Sequence, residues 1–309
     1  MKKVLFLITI LITMISLTSC FEETNNKVSL IAPTGTPTLG LAEALDTYES
    51  SFDYNIVSGS DALRAAFING SYDIIVAPVN LGANLSQKVK DFEYVFYQTI
   101  VGGCFYLVSS NDIKSIKDID NTEITVFGMN STPDVVIRSL IAYYKLNVKI
   151  NYVNDVAEAN TMLVSGKAHT IVSAEPSISK FNASKKFHTV NLQEEWAKMS
   201  NSTFAIPQAG IFVKKSKLNN VFVQKALERI NNSIELSKSN PQKLAESAVK
   251  VDSSLEKIGV NTLVNAIPNC KFLSTKSNIG EIEFYFNKLI ELGLENTIGG
   301  KLPSEDFYA

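Results

Sequence analysis

One arrangement, a strand followed by a small-residue loop and a helix, occurs twice at a fixed offset and constrains the fold more than any single motif. "SLIAPTGTPTLGLAEAL" (Ser29–Leu45) runs from an apolar strand through a Thr/Gly/Pro loop into a helical pattern. "EITVFGMNSTPDVVIRSLIAYY" (Glu123–Tyr144) does the same. Thr36-Pro37 and Thr132-Pro133 stand 96 residues apart, as do Val57 and Val153, Gly70 and Gly166, and Asp73 and His169. Between these pairs, "YNIVSGS", "DALRAAFING" and "YDIIVAPV" read as strand, helix with a Gly stop, and strand. "INYVNDVAEANTMLVSGKAHTIVSAEP" (Ile150–Pro176) repeats that order. Nearly unbroken apolar strands are those buried on both faces, and strand–helix alternation implies a parallel sheet covered by helices. The sequence therefore predicts two similarly built α/β lobes, against the plainer alternative of two generic units aligned by chance.

Thr-Pro has a local reason to recur. A Thr hydroxyl can cap the free N–H groups of a first helical turn, and Pro fits the first helical position. Each lobe is thus expected to start a helix at a strand's carboxyl end, where open α/β sheets bind ligands. The opening loop is not a nucleotide cradle. Gly35 and Gly40 have the spacing of a phosphate loop, but Leu41 and Ala42 follow where Lys and Ser/Thr are needed, and Gly-x-Gly-x-x-Gly is absent.

The chain's first segment, "MKKVLFLITILITMISLTSC", has a basic start, an apolar run and a small-residue end, the pattern of a secretory signal. Its apolar run is short for a membrane span. Leu17-Thr18-Ser19-Cys20 looks like a bacterial lipobox, which makes residues 1–19 a signal peptide, Cys20 the lipidated residue and residues 20–26 a tether. The chain's 45% hydrophobic content supports a real core, and a net charge of −2 gives nucleic-acid binding no electrostatic basis. Cys104 and Cys270 are expected as two buried thiols, with a disulfide the alternative. With only His169 and His188, neither in a metal-ligand spacing, no metal site or cofactor is expected.

The lipobox and the two lobes come with further stretches: "YLVSSNDIKSIKDID" (Tyr106–Asp120), "LVSGKAHTIVSAEPSISK" (Leu163–Lys180) and the long segment Ala209–Ala248. Together they resemble the periplasmic substrate-binding proteins of ABC importers, in the nitrate/sulfonate/taurine and thiamine-precursor branch with type II topology. The resemblance covers nearly the whole chain after Cys20. Ser115–Asp118, Ala174-Glu175-Pro176 and Asn240-Pro241 carry it together; His169, where the family usually has Asp, departs from it. It implies two lobes joined by two hinge crossings, placed near Tyr106–Ser109 and Pro207–Val213. Lobe 1 would then be 27–107 with 211–309, and lobe 2 would be 108–210. It also implies a ligand-binding monomer on the extracytoplasmic face of the cell envelope, anchored by lipid and docking on a membrane permease.

The expected cleft residues follow the strands' carboxyl ends. They are Thr34, Gly35 and Thr36 with Ser60 and Asn80 in the first lobe, and Asn130, Ser131 and Thr132 in the second. Glu175 would attract an amine or ring N–H, with capping of the next helix as its plainer role. Gln208 joins them at the second crossing, while Tyr106 and Trp196 are expected to pack into core. Arg64 and Arg138 should point away from the cleft. The set is polar and nearly uncharged, which favours a heteroaromatic vitamin precursor over a small sulfonate or nitrate-like anion. The alternatives are an enzyme on the same fold, of pyrimidine-precursor or menaquinone-pathway type, and a sensory binding lipoprotein.

Overall fold

Val28–Pro33 (β1) and Phe52–Val57 (β2) pair in parallel, and the apolar, wholly buried Ile74–Ala77 (β3) lies on the other side of β1. These coordinates are a computed structural model that describes residues 27–309 except 275 and 277; the expected signal peptide, Cys20 and the tether to residue 26 lie outside the described residues. Helices Thr36–Thr47 (α1), Asp61–Asn69 (α2) and Val79–Lys88 (α3) connect or follow these strands. Tyr94–Val101 (β4) completes the run.

The second lobe repeats the plan. Phe105–Ser109 (β5) enters it, followed by Thr122–Phe127 (β6), Thr132–Tyr144 (α4), Val148–Val153 (β7) and Val156–Val164 (α5). Thr170–Ala174 (β8), Ser177–Ser184 (α6), His188–Asn191 (β9) and Leu192–Ser200 (α7) finish it. The chain then returns as Ala209–Lys214 (β10). The two five-stranded sheets have orders β2-β1-β3-β10-β4 and β7-β6-β8-β5-β9. Each thus holds four strands running one way and one antiparallel visitor that has crossed from the other lobe.

Strand membership corrects the expected crossings. Phe105–Ser109 pairs wholly within the second sheet, and Ala209 and Gly210 pair within the first. The first crossing is therefore Gly102–Cys104, just before the stretch expected, and the second lies before Ala209. The first crossing is narrow: a Cβ on Gly103 would stand 2.4 Å from Gln193 Oε1 and 3.1 Å from Ile206. A side chain there would displace the Gln193 side chain of α7 and crowd Ile206 on the returning connection.

After β10, helices Val221–Ser239 (α8), Pro241–Val251 (α9), Ser253–Glu256 (α10), Val260–Ala266 (α11) and Ile279–Glu291 (α12) follow in sequence. The helix starts behind the resemblance are physically ordinary. Asn240 accepts from Lys243 N–H ahead of Pro241, and Ser115 and Asp118 form a reciprocal capping box. One large core joins the first sheet to its helices and reaches the second sheet through Leu107, Ile124 and Val126. A smaller cluster around Ile171, Ile178 and Phe181 serves the outer part of the second lobe. Trp196 is 1% exposed and packs against Tyr285, which places it in the core.

Candidate ligand-binding cleft

The loops at the carboxyl ends of β1, β2, β6, β7 and β8 meet around a cavity of about 650 Å3 between the lobes. Thr34, Gly35, Thr36, Ser60, Ser131, Thr132, Glu175 and Gln208 all contribute to its lining. Asn80 and Asn130 do not. Asn80 is fully buried, donates to the Asn130 carbonyl (2.9 Å) and accepts from Thr132 Oγ1 (3.2 Å), so it ties one lobe to the other.

The two Thr residues do not cap their helices. Gly35 and Ser131 hold the cap positions, and neither makes a side-chain cap bond. Thr36 and Thr132 are the first helical residues, and each hydroxyl donates across the cleft. Thr36 reaches the Glu175 carbonyl, and Thr132 reaches the Gln208 carbonyl at 2.9 Å. A strong acceptor on the facing lobe replaced the local cap. Among the described residues, no side chain caps the start of either helix, and such helix starts are suited to a polar or anionic ligand group.

Gly35 has φ 90° and ψ −140°, a region that essentially only glycine occupies. The loop around it is fixed by Asp252, which sequence reasoning missed. Its carboxylate accepts from Thr34 Oγ1 (2.6 Å) and Gly35 N–H (3.2 Å), while its other oxygen caps α10 through Ser254 N–H (2.8 Å). The second loop is braced locally instead. Buried Asp134 accepts from Asn130 N–H at 2.7 Å, from the Tyr152 hydroxyl at 2.8 Å and twice from Arg138.

Glu175 is 2% exposed and ends β8. Its carboxylate accepts from Ser179 N–H at 3.1 Å and from the Ser179 hydroxyl, so it serves a first-turn N–H of α6 from just outside the helix. Burial raises its pKa above the ordinary 4.5, with the Ser179 and Asn269 bonds acting in opposition. Gln208 is likewise engaged. Its Oε1 accepts from Cys104 N–H at 3.0 Å and from the thiol at 3.3 Å. Cys104 and Cys270 are both free and buried; burial pushes the Cys104 thiol up to about 11, which removes it as a nucleophile near neutral pH.

Much of the lining comes from residues outside the expected set. Leu63, Phe105, Phe127, Phe181, Val164, Leu255 and Ile258 make the wall mainly apolar, and Lys180 and Lys257 stand exposed at its margin on opposite lobes. Asn154, Val156 and Asn160 line it from the start and face of α5. These had a signal: Asn154 and Val156 are the 96-residue counterparts of Ser58 and Ser60. Asp252 and Ile258 had none, because nothing local links them to a loop more than 200 residues earlier.

The architecture has many solved counterparts. An ABC transporter protein from Parabacteroides distasonis superposes with TM-score 0.72 at 20% identity, covering 92% of this chain and 99% of that one. The alkanesulfonate-binding protein SsuA from Xanthomonas axonopodis, bound to MOPS, gives 0.65 at 12% identity over 91% and 96%. The nitrate-binding protein NrtA from Synechocystis gives 0.65 at 10% identity over 92% and 87%. The chain has the two-lobed periplasmic binding protein fold. No family model and no curated protein sequence matches it. In this binding-protein fold the cavity between the lobes is where both sheets present their loops, and it is here that the repeated helix starts converge.

Proposed function

We propose that the chain is a solute-binding lipoprotein of an ABC importer. In this reading a lipid on Cys20 holds it at the extracytoplasmic face of the membrane, and it passes its ligand as a monomer to a permease. The observation that carries the reading is the cavity of about 650 Å3, lined by helix starts from both lobes. Such a volume takes a molecule of drug size rather than an inorganic ion. The described lining holds no His or Cys, and its buried carboxylate is occupied by Ser179, so it has the parts to hold a molecule rather than to transform it.

The ligand we infer is a largely apolar, heteroaromatic small molecule of the vitamin-precursor kind. Phe105, Phe127 and Phe181 offer flat apolar surface, and nitrate would leave most of the space to water. Lys180 and Lys257 suit one negative charge on its outer end. Thr34, Gly35, Thr36, Ser60, Ser131, Thr132, Glu175 and Gln208 are the proposed contacts; Asn80 and Asn130 are assigned to the lobe interface instead. A thermal-shift screen of the full chain against vitamin precursors, sulfonates and nitrate tests this. A ligand at 100 times its Kd should stabilise the fold by about 2.7 kcal/mol. Recovery of the hit chemically altered would overturn the reading, and stabilisation by nitrate alone would overturn the ligand class.

A further inference from the structure

A second recess, of about 340 Å3, shares no lining residue with the cleft and meets it at the loop 128–131. Asn130 lines the recess, whereas Ser131 and Thr132 line the cleft. We propose that this recess is a second binding site, for a small free oxyanion of the phosphate or sulfate class, and that its occupant bridges the lobes and favours their closed arrangement.

Among the described residues, three cationic side chains line it and no carboxylate does: Arg64 and Lys88 from the first lobe, Arg138 from the second. Arg138 is held in place. Its Nε and Nη2 bond Asp134 at 3.0 and 2.9 Å, and Nη2 also reaches Asn130 Oδ1 at 3.3 Å. With Nε and Nη2 engaged in this way, Nη1 is the group left to donate to an oxyanion, from a guanidinium whose position is fixed. Among the described residues, Arg64 and Lys88 have no carboxylate within ion-pair distance. Lys88 has a local reason to be where it is, in the last turn of α3, where the helix dipole favours a cation. Arg64 has the opposite setting, the fourth residue of α2, close to the helix's positive end. An unpaired cation placed against the dipole and beside two others is balanced by an anion in the recess. Its lining is chiefly polar and cationic, with Asn84, Asn130, Asn296 and Thr297 beside the three cations, which suits a hydrated anion better than an apolar ligand or the face of a helix.

The lobe assignment gives the site its consequence. An anion held by Arg64 and Lys88 on one side and Arg138 on the other contacts both lobes at once, next to the Asn80–Asn130 bond that already joins them. A ligand that makes more contacts in one arrangement shifts the population toward it. This does not depend on what the large cleft binds.

The test is calorimetric titration of the full chain with inorganic phosphate at fixed ionic strength. Saturable binding tighter than ~10 mM is expected, weakening as salt is added. Arg64→Gln combined with Lys88→Gln should weaken it at least about tenfold. Lys225→Gln, exposed on α8 and lining neither cavity, should leave it unchanged. Amide exchange over residues 128–131 should slow when phosphate is present. Absence of saturable binding, or its loss in Lys225→Gln rather than in the double variant, overturns the site. Binding that leaves the exchange of this loop unaltered overturns the bridging role.

Discussion

The two lobes share a strand order and a 96-residue offset, yet they hold their cleft loops by opposite means. In the first, only Thr34 and Gly35 separate β1 from α1, and the loop is pinned from outside by Asp252 of the returning chain. In the second, residues 128–131 separate β6 from α4, and the brace is Asp134 in that same helix. The longer loop carries Asn130 across to Asn80. One loop is therefore ordered only when the chain's last third is in place, whereas the other is nearly self-sufficient. Long-range closure of the first kind makes folding slower, because chain entropy is lost before the contact forms.

Removing each brace separates the two designs. Asp134→Ala should have the larger effect, about 3 kcal/mol by denaturant titration, because it strands the partly buried Arg138 together with the Asn130 N–H and the Tyr152 hydroxyl. Asp252→Ala should lose about 2 kcal/mol. Its mark is its reach: amide exchange should quicken both at Gly35 and at Ser254, on opposite ends of the chain. If Asp252→Ala left α10 untouched, the idea that the returning segment orders the first loop would fail.

The caps sharpen the contrast further. Gly35 and Ser131 occupy matching cap positions, but Gly35 sits at φ 90° while Ser131 is extended at φ −99°. Gly35→Ser should cost roughly 1–3 kcal/mol through backbone strain, although a Cβ there meets nothing within 4 Å. Ser131→Gly should cost only about 1 kcal/mol, from loss of the bond to the Gly128 carbonyl. Equal losses from the two exchanges would mean that space, not backbone conformation, governs these positions.

What could be read from the sequence was whatever is decided within a few residues. Strand periodicity, the Asn240-Pro241 start and the stops at Gly70 and Gly166 are local, and both glycines have positive φ (61° and 73°). Thr36 and Thr132 line the cavity, but the capping bond expected of each is not the one it makes. A hydroxyl at a helix start has several acceptors to choose from, and here the carbonyls of Glu175 and Gln208, set by tertiary closure, won. The same limit hid the crossing points. Tyr106–Ser109 is a mainly apolar run like the strands of the first lobe, and only its pairing with β8 and β9 assigns it to the second. Asn80 read as a cleft residue because it follows β3; its burial under the second lobe depends on how the two halves meet.

The finest difference between the lobes is one charge. Pro78 and Pro176 both cap the helix after their lobe's third parallel strand, and the residue before them is Ala77 in one lobe and Glu175 in the other. Ala77 has nothing to titrate. Burial raises the Glu175 pKa, so at pH just above 4.5 the folded state holds more protons than the unfolded one. Stability then falls as pH rises from the ordinary value through the raised one, at no more than about 1.4 kcal/mol per pH unit, and levels off beyond it. Glu175→Gln keeps an acceptor for Ser179 N–H and removes the proton exchange. Denaturation of the two forms across this interval should therefore converge toward low pH, with the variant the more stable at neutral pH. Curves that stayed parallel would mean that the Ser179 and Asn269 bonds fully offset burial, making the second lobe as indifferent to pH at this position as the first.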